Sequence, residues 1–353
     1  MSERTLAMIA TATVATARLW AAGLDAGDLH WSQLPPLPDA LGVAGAFAGV
    51  SGGTLLVAGG ANFPDKMPWE GGKKVWHDTV YALSKPTDQW RIIGQLPRPL
   101  GYGVSLTTKQ GVLCIGGSDV ERHYAEIFLL VCSRGKLKVK PLPPLPVSLA
   151  NGAGALVGNV AYVTGGSDQP GEQSALNRFF ALDLANKKPA WRELTPCPGE
   201  ARILPVAGTA RGALYLAGGA ALRPVAGKIQ RAYLRDAWRF TLGGEWERLA
   251  DLPKPCVAGP TPAPVVDSQM LFAGGDDGSL VGFQPLDRHP GFPKAIQALD
   301  LTTGQWMSLG EVPAPRAVLP VVEWNGRFVF PSGEMRPGVR SPQVWTFRVN
   351  GLR

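Results

Sequence analysis

The residue pair best suited to act on a ligand is Glu334 and Arg340, in the segment GEMRPGVR. They stand six positions apart, and the Pro337–Gly338 pair between them is typical of a turn that brings both side chains together. A carboxylate can take up and return a proton, whereas a guanidinium can bind an anionic group. A plainer interpretation of the pair, a salt bridge on an exposed loop, stays open.

A second set of polar residues lies in the segment ANFPDKMPWEGGKKVWHD, residues 61–78. Its candidates for binding a ligand are Asn62, Trp69, Glu70, Lys73 and Lys74. Amide and aromatic groups of this kind can bind the hydroxyl or amide groups of a small molecule. The lysines could equally be solvated loop charges, and Trp69 could serve only to anchor the loop.

Both segments belong to a repeat with a period near fifty residues, which is typical of a repeat architecture. Five intact copies end in a double glycine and read TLLVAGG, VLCIGG, VAYVTGG, ALYLAGG and MLFAGG. The sixth copy, RFVFPSGEMRPGVR, has Ser332 and Gly333 in the glycine positions and Glu334 directly after them. The functional site is therefore predicted to lie in this irregular copy.

Each repeat predicts four antiparallel strands. In the first repeat these are residues 42–50, 54–60, 78–83 and 89–93, followed by a proline-rich connection. Most fourth strands carry a tryptophan, as at Trp191, Trp246 and Trp306, which would cover the outer edge of the unit. Radially repeated four-stranded units form a β-propeller.

The ends of the chain fix the number of blades. The sixth repeat supplies strands at 317–324, 327–333 and 343–349 but no fourth strand, whereas residues 29–34 form a tryptophan-containing strand with no unit before it. The sequence therefore predicts an all-β, six-bladed β-propeller, closed by the N-terminal strand, which completes the last blade. The double glycines with the tryptophans of the outer strands resemble the kelch family, so the propeller is expected to be of the kelch type.

Alternating strand directions place the segments after the double glycines and the connections between blades on one face. The longest of these segments, 276–293 and 61–77, would flank the sixth repeat. Three connections carry Arg98, Arg202 and Arg316, each at the entry to an innermost strand and predicted to point toward the central channel.

Those arginines, with Arg336 and Arg340, would form an anion site suited to a carboxylate. The alternative is that each connecting arginine ties neighbouring blades together by hydrogen bonds to carbonyl groups. His289, in the segment 276–293, could be a ligand-binding residue or an acid, or could simply hold a Pro-Gly-Pro turn.

Composition limits the class of protein. Of the 353 residues 45% are hydrophobic and fall in strand-sized runs, so a single closed domain over 28–353 is expected. The net charge of +7 comes from scattered Lys and Arg, which argues against nucleic acid and suits a small anionic ligand or a merely basic surface. The four histidines and four cysteines lack metal-binding spacing, so no metal or cofactor is expected, and Cys114 and Cys132 are interpreted as buried thiols.

Residues 1–27 are interpreted as a signal peptide or a flexible N-terminus. An arginine, a weakly apolar run rich in Ala and Thr, and small residues near 21–27 resemble a secretory leader. A cleaved leader would place the protein in the periplasm or outside the cell, and otherwise it would be cytoplasmic. No other segment is apolar enough over sufficient length to span a bilayer.

The segments GVAGAFAGVSGGTLLVAGGANF, WEGGKKVWHDTV, GYGVSL and GEMRPGVRSPQVW resemble the kelch-type N-acetylneuraminate epimerases, also called sialic acid mutarotases. The resemblance covers nearly all of 29–350 and is closest in the first two blades and the last. In those family members the blade resembling GEMRPGVR precedes the blade resembling VAGAFAG. The inverted order here resembles a cyclically permuted branch, which a closed ring tolerates.

The resemblance implies that Glu334 is a general base and Arg340 a partner in substrate binding. It further implies a small anionic sugar, sialic acid, as substrate, and interconversion of its α- and β-anomers by ring opening and closure without a cofactor. A non-catalytic kelch propeller that binds a protein or glycan, and a mutarotase for another 2-keto sugar acid, are the alternatives. A homodimer is compatible with the sequence.

Overall fold

The computed structural model describes residues 24–171 and 173–349. Within these ranges six four-stranded antiparallel sheets surround a narrow central channel of about 60 Å³. The predicted six-bladed β-propeller is confirmed. The predicted leader falls mostly on residues 1–23, outside the described part, whereas Leu24 packs in the core between blades five and six.

The blades are numbered in chain order, and their strands are given from the channel outward. Those of blades one to three are Phe47–Ser51, Thr54–Ala58, Thr79–Leu83 and Arg91–Gln95; Val104–Thr108, Gly111–Ile115, Ile127–Ser133 and Lys136–Leu142; Ala150–Val157, Val160–Ser167, Phe179–Asp183 and Trp191–Leu194. Those of blades four to six are Val206–Ala210, Ala213–Ala217, Ala237–Thr241 and Trp246–Leu249; Val265–Val266, Gln269–Ala273, Ala295–Asp300 and Trp306–Glu311; Val322–Glu323, Phe328–Pro331, Val344–Val349 and Leu29–Leu34.

The N-terminal strand closes the ring as the sequence predicts. Leu29–Leu34 pairs antiparallel with Val344–Val349, in a register from Leu29 opposite Val349 to Leu34 opposite Val344. The innermost strand of this blade is shorter than expected, Val322–Glu323 instead of 317–324. Pro320 lacks the N–H that a longer ladder would need.

The tryptophans of the outer strands join neighbouring blades. The indole Nε1 of Trp191 donates to the Pro143 carbonyl over 3.1 Å, and that of Trp246 donates to the Thr195 carbonyl over 3.0 Å. Trp306 makes the same kind of bond, 2.9 Å long, to Ala250. Each acceptor lies in the connection that precedes the blade, so the tryptophan both covers the edge and fixes that connection.

The double glycines are required by a close contact with the following blade. A Cβ atom at Gly59 would lie 2.2 Å from the Leu100 carbonyl oxygen, which accepts the N–H of Gly60 over 2.9 Å. Every other blade repeats the bond from the second glycine, including Gly333 to Val43 over 2.9 Å in blade six. There Ser332 takes the first glycine position with φ 61°, and its hydroxyl accepts the Val43 N–H over 2.7 Å.

A closed ring of six backbone hydrogen bonds surrounds the mouth of the channel. One residue near the start of each innermost strand donates its N–H to the carbonyl of its equivalent in the preceding blade, over 2.7–2.9 Å. These residues, all with left-handed φ, are Gly45, Tyr102, Asn151, Leu204, Ala258 and Val318. Such a backbone costs roughly 1 kcal/mol for a non-glycine residue, and the ring of bonds holds it in place.

Three two-stranded ribbons extend from the face above the channel in the described ranges: Ala61–Asn62 with Val75–Trp76, Ala220–Val225 with Lys228–Tyr233, and Glu334–Arg336 with Val339–Arg340. Short 3-10 helices span Ala26–Asp28, Pro68–Glu70 and Leu286–Arg288. No helix within residues 24–171 and 173–349 has the length and apolar character needed to cross a membrane. All four cysteines are buried free thiols.

Candidate active site

The residue directly after each glycine pair occupies an equivalent position in every blade. Each of these residues pairs through its backbone with the start of its blade's innermost segment, at the mouth of the channel. We call them the collar residues: Ala61, Ser118, Ser167, Ala220, Asp276 and Glu334. Because the blades follow one another in chain order around the channel, Glu334 lies across the mouth from Ser167, and Asp276 lies across it from Ser118.

The collar surrounds a cavity of about 470 Å³ above the channel, to which all six blades contribute. The ring residues Tyr102, Asn151, Leu204, Ala258 and Val318 line it, so its floor is polar toward blades two and three and apolar toward blades four to six. Its charged lining residues are Lys74, Asp119, Arg231, Asp276, Glu334 and Arg340. A cavity of this size, with a few convergent polar groups, suits a small polar molecule.

Glu334 and Arg340 meet in this cavity, as the Pro337–Gly338 turn predicts. Arg340 Nη1 lies 3.1 Å from Glu334 Oε1, and the same oxygen accepts the N–H of Gly338 over 2.6 Å. The two residues are also directly opposite in the ribbon formed by Glu334–Arg336 and Val339–Arg340. Glu334 Oε2 has no hydrogen-bond donor among the described residues and is available to a ligand.

Arg340 is held on several sides. Its Nε donates to the Ala61 carbonyl over 3.3 Å, and its Cζ lies 4.8 Å from the centre of the Phe63 ring. Its Nη2 makes only a long contact of 3.5 Å, to the Tyr102 hydroxyl on the cavity floor. The side chain of Arg340 is 4% exposed and that of Glu334 16%, so the pair is no loose surface bridge. Nη2 is the guanidinium nitrogen best placed to bind an anionic group.

The structure does not bring the three connecting arginines to the cavity. Arg202 is buried and forms a bidentate pair with Asp236, with bonds of 2.7 and 2.5 Å, and Arg98 pairs with Glu126 over 2.8 Å. Arg316 donates to Gln343 over 3.0 Å, and burial lowers its pKa to about 10. These guanidiniums hold each connection to the blade that follows and line neither the channel nor the cavity. The cited bonds go to carboxylate and amide side chains, whereas the alternative interpretation expected carbonyl groups, as Arg202 has at Gly218 over 3.0 Å.

Other predicted residues surround the site without lining the cavity. Asn62 is buried and donates to the Gly42 carbonyl over 2.9 Å. Glu70 accepts the Met67 N–H over 3.0 Å, and Arg336 donates to the Asp287 carbonyl over 2.6 Å. His289 Nδ1 accepts the Gly291 N–H over 3.1 Å, which fits the turn-holding alternative.

Of the lysine pair, Lys74 reaches the cavity, where its Nζ lies 4.9 Å from the centre of the Tyr102 ring. Lys73 is exposed. Trp69 lies beside the turn at Gly338, since a Cβ atom there would be 3.4 Å from its ring. The binding roles of Lys73 and Trp69 stay predictions.

Sequence reasoning missed several groups that line the cavity. Asp276 accepts a hydrogen bond of 2.7 Å from the hydroxyl of Tyr233, and His123 lies against the Ser167 carbonyl at 3.0 Å. Tyr102 belongs to the ring of backbone hydrogen bonds that forms the floor of the cavity. Asp276 and Ser167 follow their double glycines as Glu334 follows its own pair, so their position in the repeat was the available signal. No cluster of metal-binding side chains occurs within the described ranges.

Comparison with known proteins agrees with this architecture. The solved structure of YjhT superposes with a TM-score of 0.68 over 91% of this chain and 98% of its own, at 16% identity, which establishes the fold alone. A relative from Yersinia pestis (strain Pestoides F) named N-acetylneuraminate epimerase is 44% identical over 117 residues, 29% of each chain. One of the same name from Brucella suis is 41% identical over 120 residues, 30% of each chain.

The chain thus matches less than a third of the length of these curated relatives. The family model described as N-acetylneuraminate epimerase covers far more, residues 9–139 and 142–283. That match extends over blades one to four and the two inner strands of blade five. The chain belongs to the N-acetylneuraminate epimerase family.

Proposed function

We propose that the protein is a mutarotase that interconverts the α- and β-anomers of N-acetylneuraminate, with Glu334 as the proton-transferring group. The observation that carries this proposal is the carboxylate of Glu334, held at Oε1 by Arg340 and Gly338 and free at Oε2 inside a walled cavity. A fixed carboxylate with one free oxygen is suited to move a proton at a bound sugar.

The reaction needs no net change in protons. Glu334 takes the proton of the hydroxyl on C2, the bond between C2 and the ring oxygen breaks, and the ring oxygen receives a proton from the carboxyl group. The open chain carries a ketone at C2. After rotation about the bond next to C2, the hydroxyl formed from the ring oxygen attacks the other face of the ketone, and the proton steps reversed produce the other anomer.

Cations in the cavity support an anionic substrate. Arg340 Nη2 and Lys74 lie on the same side of the mouth, near Tyr102, and both can attract the carboxylate on C1. That contact would place C2 near Glu334. The uncatalysed reaction proceeds in water unaided, so the barrier to be lowered is modest and one carboxylate with a cation is chemically sufficient.

A panel of reducing sugars, followed by anomer-resolved NMR, tests the substrate class. We expect faster anomer exchange for N-acetylneuraminate and other 2-keto sugar acids, and none for glucose, which lacks the carboxylate. Equal acceleration of glucose would exclude the role assigned to Arg340 and Lys74. Binding of N-acetylneuraminate with no effect on its exchange rate would favour a non-catalytic binding protein.

A further inference from the structure

The wall of the cavity opposite Glu334 is polar, and neither of its collar residues is charged. The collar residues of blades two and three are Ser118 and Ser167, whereas those of blades five and six are Asp276 and Glu334. Blades one and four, which separate the two halves, have alanine at the collar position. The collar therefore has an ionic half and a neutral half that face each other.

The hydroxyl of Ser167 has no hydrogen-bond partner among the residues that the structure describes. The residue is 1% exposed and lines the cavity, and its Oγ makes no hydrogen bond to any residue in the described ranges. A buried hydroxyl without a partner is unfavourable, and most such groups in proteins are paired. A polar group of a ligand in the cavity would supply the missing bond.

His123 offers a hydrogen-bond acceptor beside this hydroxyl. Its Nδ1 lies 3.0 Å from the Ser167 carbonyl oxygen, which can only accept, so Nδ1 carries the proton. Burial lowers the pKa of His123, although the bond to Ser167 and the charges of Asp168 and Asp119 oppose the shift. The neutral ring then leaves Nε2 as an acceptor.

Asp119 is a charged group that lines this side, and its carboxylate is bonded within its own loop. Asp119 accepts the N–H of Glu121 over 2.8 Å, that of Arg122 over 3.0 Å, and the hydroxyl of Tyr124. Its carboxylate is thus occupied within its own loop. Asn151 contributes a neutral amide side chain on the floor. The neutral half can therefore accept hydrogen bonds from hydroxyl or N–H groups and donate from a hydroxyl, without attracting an anion.

We propose that His123 and Ser167 form a subsite that binds the uncharged, hydroxylated end of the sugar acid and so selects substrates that carry a side chain on the ring. This inference rests on the proposed function. With the carboxylate of the substrate at Arg340, a pyranose with a hydroxylated chain extends across the mouth toward blade three. An acid without that chain leaves the subsite empty.

The test compares wild type with Ser167→Ala on two substrates, N-acetylneuraminate and a six-carbon 2-keto-3-deoxy sugar acid whose pyranose bears no side chain. We expect KM for N-acetylneuraminate to rise about three- to tenfold, the effect of losing one hydrogen bond, with kcat within about twofold. KM for the short acid is expected to stay unchanged. Equal changes for both substrates, or no change for either, would overturn the subsite.

Folding does not obscure this test, because Ser167→Ala removes a hydroxyl that makes no bond in the described ranges. We expect its melting temperature to equal or exceed that of wild type. His123→Ala should likewise raise KM for N-acetylneuraminate and leave KM for the short acid unchanged. Ser133→Ala and His30→Ala, at exposed positions, are matched controls and should change neither KM.

Titration calorimetry with N-acetylneuraminate separates this inference from the proposed function. If wild type accelerates no anomer exchange, the proposed mutarotase activity is wrong, yet the subsite still predicts that Ser167→Ala binds the sugar about three- to tenfold more weakly. Unchanged binding by both Ser167→Ala and His123→Ala would contradict the subsite whatever the catalytic result.

Discussion

Arg340 holds Glu334 through a single carboxylate oxygen, Oε1, at 3.1 Å from Nη1. Because the N–H of Gly338 binds the same oxygen, the orientation of the carboxylate is fixed while Oε2 stays available. The guanidinium is itself fixed by the Ala61 carbonyl of blade one. The two residues thus form one unit at the junction of blades six and one.

Arg340→Lys should impair this unit although the charge is kept. A single ammonium cannot bond Glu334, the Ala61 carbonyl and an incoming carboxylate with the geometry of a guanidinium. We expect KM to rise and kcat to fall, each by about tenfold or more, in anomer-exchange kinetics. Wild-type values of both constants in the lysine variant would show that only charge is needed at position 340.

Arg202 and Asp236 should contribute to stability and not to activity. The Arg202 side chain is 2% exposed and that of Asp236 13%, and removing one partner leaves the other charge buried. Burial raises the pKa of Asp236, but the hydrogen bonds and charge of Arg202 outweigh it and lower that pKa overall.

For Asp236→Ala we therefore expect the free energy of unfolding to fall by about 3–5 kcal/mol in urea titrations. The rate of anomer exchange per folded molecule should stay at the wild-type value. A large rise in KM without a loss of stability would instead restore Arg202 to the substrate site.

His123 should make the protein less stable in mild acid. Its pKa in the folded protein is lowered by burial from an ordinary value near 6.5, so the unfolded chain binds the proton more readily. The stability due to neutral His123 is fully present above about pH 6.5 and is lost as the pH falls through the lower, folded pKa.

Urea titrations between pH 7.5 and 5 measure this loss. In His123→Gln we expect the free energy of unfolding to depend less on pH over that interval, since the glutamine side chain does not titrate. An identical slope in both proteins would show that His123 does not account for the acid sensitivity.

Gly116 and Gly243 form a matched pair for testing the double glycines. Both have left-handed φ, 62° and 73°, but a Cβ atom at Gly116 would lie 2.2 Å from the Leu149 carbonyl oxygen, whereas that at Gly243 meets nothing within 4 Å. Gly243→Ala should cost about 1 kcal/mol of unfolding free energy from its backbone alone. Gly116→Ala should cost clearly more, and equal melting temperatures of the two variants would contradict the close-contact explanation.

The blade count and ring closure could be predicted because local patterns carry them. The double glycines, the outer tryptophans and the unpaired strand at Leu29–Leu34 each mark a fixed place in a blade. The ring of backbone bonds was not predictable in this way. Its six residues share a left-handed backbone but no common side chain, so the sequence pattern wrongly extends the first strand over residues 42–46.

The contacts of the site also fall into those that local sequence predicts and those that it does not. The Glu334–Arg340 contact follows from one short turn, whereas the partners of Arg98 and Arg202 lie 28 and 34 residues away along the chain. No local sequence pattern distinguishes such an arginine from one that faces the channel. For Ser167 the repeat gives its position, but no local pattern shows that its hydroxyl is buried and lacks a partner within the described ranges, beside His123.

The most direct test of the central claim is the rate at which freshly released α-N-acetylneuraminate converts to the β-anomer, followed by proton NMR. We expect wild type to accelerate the conversion, and Glu334→Gln to lose about 10²- to 10⁴-fold of that acceleration while keeping its fold, because the amide still accepts at Oε1 but cannot transfer a proton. Glu323→Gln, at an exposed position of the same blade, should behave as wild type. An unaccelerated conversion with wild type, or full acceleration with Glu334→Gln, would contradict the account.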